Sequence, residues 1–220
     1  MSNRINILAD TNSLAHLSNV QFNIGKNSDN WLWEYFEVFR LQTITQEFER
    51  NLKRKRSKSF KKRTHRSFKK EATFYHVKQV DLIEEKIISK YYNKPLGSDD
   101  RGERHLIAHA IAGVKTGKFN YCIILTDDYK AFTNFLSKIK NDFSFGDIWN
   151  VLDLILHLYL SRSNISFEEA RNAIRTLVAL SSISAKKYKD DGMTEYDARI
   201  KMFEDYLSKL EEIAKLKTII

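Results

Sequence analysis

Two short apolar runs in the chain predict buried β-strands. Ile5–Ala9 and residues 121–126 are rich in aliphatic and β-branched side chains and are too short for ordinary helices. Carboxylates follow both runs directly: Asp10 comes after the first, and Asp127 with Asp128 ends the second. Ligands in open α/β sheets bind outside the carboxyl ends of the strands, so two such strands side by side would bring these acids together.

Elsewhere the spacing of apolar residues predicts mostly helices. Trp31, Tyr35 and Phe39 recur every four residues, which places them on one inward-packing helical face. Helices are predicted at 12–17, 31–39, 43–49, 71–92, about 100–112, 129–139, 146–160, 166–179 and 194–216. Two further short strands are predicted at 40–44 and 141–145. This alternation predicts an α/β fold with a central parallel sheet. The apolar stripe of the last helix would cover the core or dock against a second copy or a partner.

The composition limits the class of protein. Apolar residues make up 42% of the 220, enough for a core, and seven Gly with one Pro argue against a turn-rich all-β chain. Cys122 is the single cysteine and lies in a predicted strand, so we expect a buried thiol in a reducing compartment, the cytoplasm. The longest apolar run, 149–160, contains charged Asp153 and is too short to span a bilayer, so no membrane association is expected.

Basic residues are concentrated in one segment. Residues 50–70 hold 12 Lys or Arg and no acid, whereas the rest of the chain has 25 basic and 28 acidic residues, so the net charge of +9 is local. Such a run predicts a phosphate-binding arm whose affinity falls with salt. Leu52, Phe60 and Phe68 recur every eight residues, which suggests a helical arm with one packed stripe. The candidate substrate contacts are Arg54, Arg56, Lys61, Lys62, Arg63 and Arg66.

The acids after the two strands predict a metal site. Carboxylates held close together repel one another, and some would be forced to protonate unless a cation offsets their charge. Mg²⁺ and Mn²⁺ prefer oxygen ligands, often one or two carboxylates with water and substrate phosphate. Asp99, Asp100 and Glu103 at the start of the helix before the second strand extend the acidic set, although Asp100 and Glu103 also have the spacing of a helix cap.

Four segments in chain order resemble the PIN-domain ribonucleases. They are ILADTN at 7–12, TITQEFE at 43–49, DRGERHLIAHAIA at 100–112 and IILTDDYKAF at 123–132. The last two resemble the Gly-Glu and Thr-Asp-Asp motifs of the VapC-like branch. The resemblance covers roughly the first two-thirds of the chain.

This resemblance implies a three-layer α/β/α PIN-like domain at 1–160. The predicted basic helical insertion at 50–92 departs from the small members of the VapC-like branch, and the predicted helical extension at 161–220 lies outside the resemblance. The resemblance also implies a Mg²⁺- or Mn²⁺-dependent endoribonuclease with catalytic Asp10, Glu49, Glu103 and Asp128. Asp10, Glu103, Asp127 and Asp128 would hold the metal, Asn12 would orient substrate, and Glu47 is the alternative to Glu49. The partners implied are RNA, a protein such as an antitoxin in a toxin–antitoxin or defence system, and a second copy of the chain.

One other interpretation remains open. The alternative is a non-catalytic nucleic-acid-binding protein whose basic arm at 50–70 does the binding while the acids serve as helix caps. His105 and His109 form an i, i+4 pair that zinc sites use, but no HExxH motif and no cysteine pair accompany them. A zinc site is therefore not expected from this pair, and His105 would instead face phosphate near the acids.

Overall fold

Parallel strands form one sheet at the centre of the protein. The computed structural model describes residues 4–20, 28–54, 59–77, 80–91, 101–128, 137–162, 164–180 and 188–218. Within these ranges the strands are β1 (Ile5–Ala9), β2 (Phe36–Arg40), β3 (Thr73–Phe74), β4 (Cys122–Leu125) and β5 (Gly146–Trp149). They are all parallel and lie in the order β3-β2-β1-β4-β5. The order reverses between β1 and β4, which makes the carboxyl ends of these two strands the topological switch point.

Helices surround this sheet, and the α/β class predicted from the sequence is confirmed. They are α1 (Thr11–Leu17), α2 (Ser28–Tyr35), α3 (Gln42–Arg54), α4 (Ser59–Glu71), α5 (Val80–Tyr91), α6 (Arg101–Lys115), α7 (Ser137–Asp142), α8 (Val151–Ser161), α9 (Phe167–Leu180) and α10 (Glu195–Lys217). Every residue of β4 is buried, as expected for a strand covered on both faces. This burial is consistent with a three-layer α/β/α arrangement.

The strands that define the switch point lie where the sequence predicts them. β1 has the predicted bounds, β4 is one residue shorter at each end, and Cys122 is fully buried, as expected. Burial raises the pKa of the Cys122 thiol to about 12, so the thiol is protonated and unreactive at neutral pH. β1 and β4 are direct neighbours, with Asn6 opposite Cys122 and Ala9 opposite Leu125.

Two other strand predictions are wrong by several residues. β2 occupies 36–40 rather than 40–44, because the helical spacing of Trp31 and Tyr35 ends there and an extended, largely buried segment follows. β5 occupies 146–149, where a helix start was predicted. At Gly146 the backbone φ is +144°, and a Cβ would lie 1.9 Å from the Cys122 carbonyl oxygen, so only glycine fits this close strand contact. The helix, α8, begins instead at Val151 after an Asn150 cap.

The basic segment differs from the single helical arm that the sequence predicts. Its described part belongs to two helices, α3 and α4, and residues 55–58 lie outside the described ranges. The predicted helix from 71 to 92 is also wrong at its start, because Thr73–Phe74 pairs with β2 as an edge strand before α5 begins. Phe68 is fully buried, which confirms part of the predicted packed stripe, while the side chain of Phe60 lies outside the described part.

The C-terminal helices complete the apolar core. Their predicted starts are confirmed: Ser166 bonds to Glu169 at the start of α9, and Thr194 caps α10 with Asp197. Met202, Tyr206 and Leu210 of α10 are buried in the same apolar cluster as the strands of the sheet. Of the alternatives left open for the last helix, the structure therefore has it covering the core. No helix in the described ranges has both the length and the apolar character needed to cross a bilayer.

Candidate active site at the carboxyl edge of the sheet

Asp10 is the first residue after β1 and lies at the switch point between β1 and β4. Its backbone N–H donates to the Leu125 carbonyl oxygen at 2.9 Å, and the Thr126 hydroxyl donates to its Oδ2 at 2.6 Å. Its Oδ1 accepts from the Ser13 backbone N–H at 2.6 Å, so Asp10 also caps α1. Burial raises the pKa of the Asp10 carboxyl to about 6, although the Thr126 and Ser13 hydrogen bonds oppose the shift.

Asp128 bonds to the same threonine as Asp10, and Glu47 interacts with Asp128. The Asp128 backbone N–H donates to the Thr126 hydroxyl oxygen at 3.1 Å, and the same hydroxyl donates to the Asp10 carboxylate. Burial raises the pKa of Glu47 on α3, the Asp128 charge raises it further, and the Thr11 hydroxyl and Arg50 lower it. Glu47 is therefore in electrostatic contact with Asp128, which follows β4, whereas the carboxylate whose charge raises the pKa of Asp10 is Asp127.

A glycine lets α6 approach the same group. A Cβ at Gly102 would lie 3.0 Å from Glu47 Oε2 and 3.3 Å from Ile44 Cδ1, which is closer than side chains normally pack. The first turn of α6 therefore lies against the α3 carboxylate. Glu103, the next residue and a predicted ligand, is half-buried in this turn. Asp99 and Asp100 lie outside the described residues.

The geometry favours Glu47 over Glu49 as the α3 carboxylate. Glu49 accepts a hydrogen bond from Lys69 Nζ on α4 at 3.0 Å, and this ion pair lowers its pKa. Residues two positions apart project from different sides of a helix, so α3 directs one glutamate to the acids and the other to α4. We therefore favour Glu47, the alternative named from the sequence, over Glu49 as the α3 carboxylate of the candidate site.

Asp127 has different hydrogen-bond partners from Asp128. Its Oδ1 accepts from the Val151 backbone N–H at 3.1 Å, and its Oδ2 is 2.5 Å from His16 Nδ1. Both carboxylate oxygens thus connect α1 to the start of α8. This arrangement favours a structural role for Asp127, whereas Asp10 and Asp128 remain the predicted metal ligands of the strand ends.

The predicted substrate residues lie on two helices. Asn12 is exposed in the first turn of α1, two residues after Asp10. Lys62, Arg63 and Arg66 are exposed on α4, opposite the buried Thr64 and Phe68. Arg56 and the side chains of Arg54 and Lys61 lie outside the described part of the chain.

Sequence reasoning missed a second group of ligand-type residues, between α5 and α6. Asp81, Glu84 and His105 have potential ligand atoms within 4.8 Å of one another and could hold a metal ion. His105 lies 3.0 Å from Glu84 through Nε2, rather than being positioned by the acids after the strands. Among the described residues, the acids at the carboxyl edge do not form such a close triad. Only the packing of α5 on α6 reveals the second group, since His105 is more than 20 positions from Asp81 and Glu84 in the sequence.

Comparison of the chain with protein-family models, with curated proteins and with solved structures returns no match.

Proposed function

We propose that this protein is a metal-dependent endoribonuclease of the PIN type, with its active site at the carboxyl edge of the sheet. The observation that carries the proposal is the position of Asp10 and Asp128 after the neighbouring strands β1 and β4 at the switch point, with Glu47 of α3 in electrostatic contact with Asp128. The choice of RNA over DNA rests on the resemblance of the four sequence segments to PIN-domain ribonucleases.

The donor set fits a hard divalent cation. Asp10 and Glu47 are carboxyls whose pKa burial raises, so both are costly to keep ionised without a compensating charge. Oxygen donors alone suit Mg²⁺ or Mn²⁺, and Mg²⁺ commonly retains water and uses only one or two carboxylates. Carboxylates that are not in close mutual contact are compatible with such water-mediated binding. Asp10, Glu47 and Asp128 would hold the ion, with Glu103 at the edge of the group.

The protein residues around the ion have separate roles. When bound, Mg²⁺ or Mn²⁺ supplies Lewis-acid stabilisation of charge on the phosphate and activates water. Thr126 and the Ser13 amide fix the orientation of the Asp10 carboxylate. Gly102 leaves the space that Glu47 occupies. Asn12, exposed beside the acids, is placed to contact the substrate.

The exposed cations of α4 would bind the nucleic-acid backbone. Lys62, Arg63 and Arg66 form a basic outer face, whereas the inner face packs on the core through Phe68. The Lys69–Glu49 ion pair fastens α4 to α3, the helix that carries Glu47. Contacts to phosphate hold a strand without reading its sequence, so this face would position RNA rather than select it.

The test is cleavage of end-labelled single-stranded RNA, structured RNA and matching DNA, in Mn²⁺, in Mg²⁺ and in EDTA. We expect RNA to be cut only with metal, and Asp10→Asn and Asp128→Asn each to reduce the rate by at least about 100-fold, the upper range for losing even an outer-shell partner of a metal site. Arg171→Gln, an exposed change on α9, is the control that retains activity.

Absence of metal-dependent cutting would overturn the proposal. If all of these proteins nevertheless bind RNA tightly and in a salt-sensitive manner, the chain is the non-catalytic nucleic-acid-binding protein that the basic segment also allows.

A further inference from the structure

The second group of ligand-type residues joins two helices that pack against each other. Asp81 and Glu84 are three residues apart on α5, a spacing that places them on one helical face. His105 reaches them from α6. Glu84 and His105 are 9% and 8% exposed, whereas Asp81 is open to solvent, so the group has a buried side and an entry side.

The distances within this group suit an ion. His105 Nε2 lies 3.0 Å from Glu84 Oε2. Two ligands at right angles around a metal with bonds of about 2.1 Å are about 3.0 Å apart, so both atoms can reach one ion without separating further. The other Glu84 oxygen accepts from Arg104 Nε at 2.8 Å, as outer-shell groups commonly orient a ligating carboxylate.

The surroundings contribute charge and further imidazoles. Asp81 and Glu84 bring two carboxylates to the group, and Glu84 pairs with the Arg104 guanidinium. His109 packs against His105, with ring centroids 5.9 Å apart, and its Nδ1 lies 2.7 Å from the His105 carbonyl oxygen.

We propose that Asp81, Glu84 and His105 form a binding site for a divalent first-row transition metal that clamps α5 to α6. Imidazole with carboxylate suits Zn²⁺, Co²⁺ and related ions, whereas Mg²⁺ prefers oxygen donors alone. The site is separate from the carboxyl-edge acids and does not rest on the proposed nuclease function. Its effect on that function would be indirect, because the clamped helix α6 carries Gly102 and Glu103 in its first turn.

The test is titration of the EDTA-treated, dialysed full chain with Co²⁺ and Zn²⁺ in millimolar Mg²⁺. Co²⁺ is followed by its visible absorption and Zn²⁺ by calorimetry. We expect one equivalent to bind, His105→Gln and Glu84→Gln to abolish the Co²⁺ spectrum, and Asp10→Asn to leave it unchanged. Binding should also raise the melting temperature of the wild-type chain.

Glu84→Gln and His105→Gln each alter a buried, ion-paired side chain, so Asp81→Asn is the decisive variant. Asp81 is exposed, and its loss should weaken Zn²⁺ affinity at least about 10-fold without changing the melting temperature of the metal-free protein. Asp191→Asn, at another exposed aspartate, should have no effect. Equal metal binding by the wild type and Asp81→Asn, or no metal binding at all, would overturn the proposed site. Arg104, Glu84 and His105 would then form an ion-pair network only. Loss of binding in Asp10→Asn would assign the ion to the carboxyl edge instead.

Discussion

Burying the ionised carboxylate of Asp10 destabilises the folded protein at neutral pH. The Asp10 carboxyl is 6% exposed, and burial raises its pKa from 3.8 to about 6. A carboxyl with a raised pKa in the folded state contributes stability below the unfolded pKa and loses it as the pH rises through the folded pKa. A shift of about 2 units corresponds to about 3 kcal/mol at pH 8. Such a cost is reasonable for a group that a cation would compensate.

Replacing Asp10 by Asn should therefore stabilise the metal-free protein. Asn is as good an N-cap as Asp, so the α1 cap survives while the buried charge is removed. We expect the free energy of unfolding to rise by up to about 3 kcal/mol at pH 8 and the gain to vanish near pH 4. Urea denaturation in EDTA at both pH values measures this.

Asp127→Asn is the matched control for that experiment. Both oxygens of Asp127 have partners, the Val151 N–H and His16, so the substitution should destabilise the protein by about 1–3 kcal/mol. If Asp10→Asn destabilises the protein as Asp127→Asn does, the burial cost assigned to Asp10 is wrong.

Among the helices, α4 carries the clearest electrostatic prediction. Replacing Lys62, Arg63 and Arg66 by Gln should weaken RNA binding and reduce the slope of log affinity against log salt. Each phosphate contact on a single strand contributes about 0.7 to that slope, so the loss should reach about 2. Fluorescence anisotropy with labelled RNA between low and moderate salt measures the slope.

A triple variant elsewhere separates local contacts from net charge. Arg171, Arg175 and Lys201 are exposed on α9 and α10, and their replacement by Gln changes the net charge by the same amount. The salt slope of this control should match that of the wild type. Equal slope changes in the two triple variants would mean that α4 is not the binding face.

A helix or strand can be predicted from the sequence when the residues that determine it lie within the element itself. β4 is buried throughout and β1 is buried over its last three residues, and both are short, mostly apolar runs that the sequence alone identifies. β3 is only two residues long, and its strand character depends on pairing with Phe39 and Arg40 of β2, which no local pattern encodes. β5 differs from the prediction because the apolar spacing from residue 146 onwards favours a helix, whereas the structure uses Gly146 for close strand contact.

The same distinction applies to the candidate site. The strand-end acids follow from where the neighbouring strands β1 and β4 stop, and Thr126 bonds to the Asp10 carboxylate and to the Asp128 backbone N–H. Choosing between Glu47 and Glu49 requires the rotation of α3 about its axis, which is set by the packing of Phe48 and Ile44 and by the Glu49 pair with α4. A sequence motif gives their spacing but not that rotation.

At the scale of the whole molecule, the C-terminal helix is connected to the carboxyl edge. The Tyr206 hydroxyl donates to Asp153 at 3.0 Å and accepts from Asn150 Nδ2 at 2.8 Å, so it bonds to both members of the capping box that starts α8. The next residue, Val151, donates its N–H to Asp127. The sequence predicted a helical extension at 161–220, but these bonds and the shared apolar core bind it to the sheet domain.

Substitution of a core residue of α10 tests whether the C-terminal helices fold together with the sheet. Met202 is fully buried, so Met202→Ala should cost about 2–5 kcal/mol of unfolding free energy. Tyr196 on the same helix is 71% exposed, and Tyr196→Ala should change stability by about 0.5 kcal/mol or less. Chemical denaturation followed by both far-ultraviolet circular dichroism and tryptophan fluorescence should show coincident transitions. Separate transitions, with only one shifted in Met202→Ala, would mean that the C-terminal helices fold as an independent unit.

The most direct test of the account is the rate of RNA cleavage in Mn²⁺ by Glu47→Gln and Glu49→Gln. These are the same substitution on the same helix, but only Glu47 lies against Gly102 and in electrostatic contact with Asp128. We predict at least about a 100-fold loss of rate for Glu47→Gln and a change of only a few-fold for Glu49→Gln. Full activity in Glu47→Gln, or no metal-dependent cleavage by the wild type, would contradict the assignment of a nuclease centre to the carboxyl edge of this sheet.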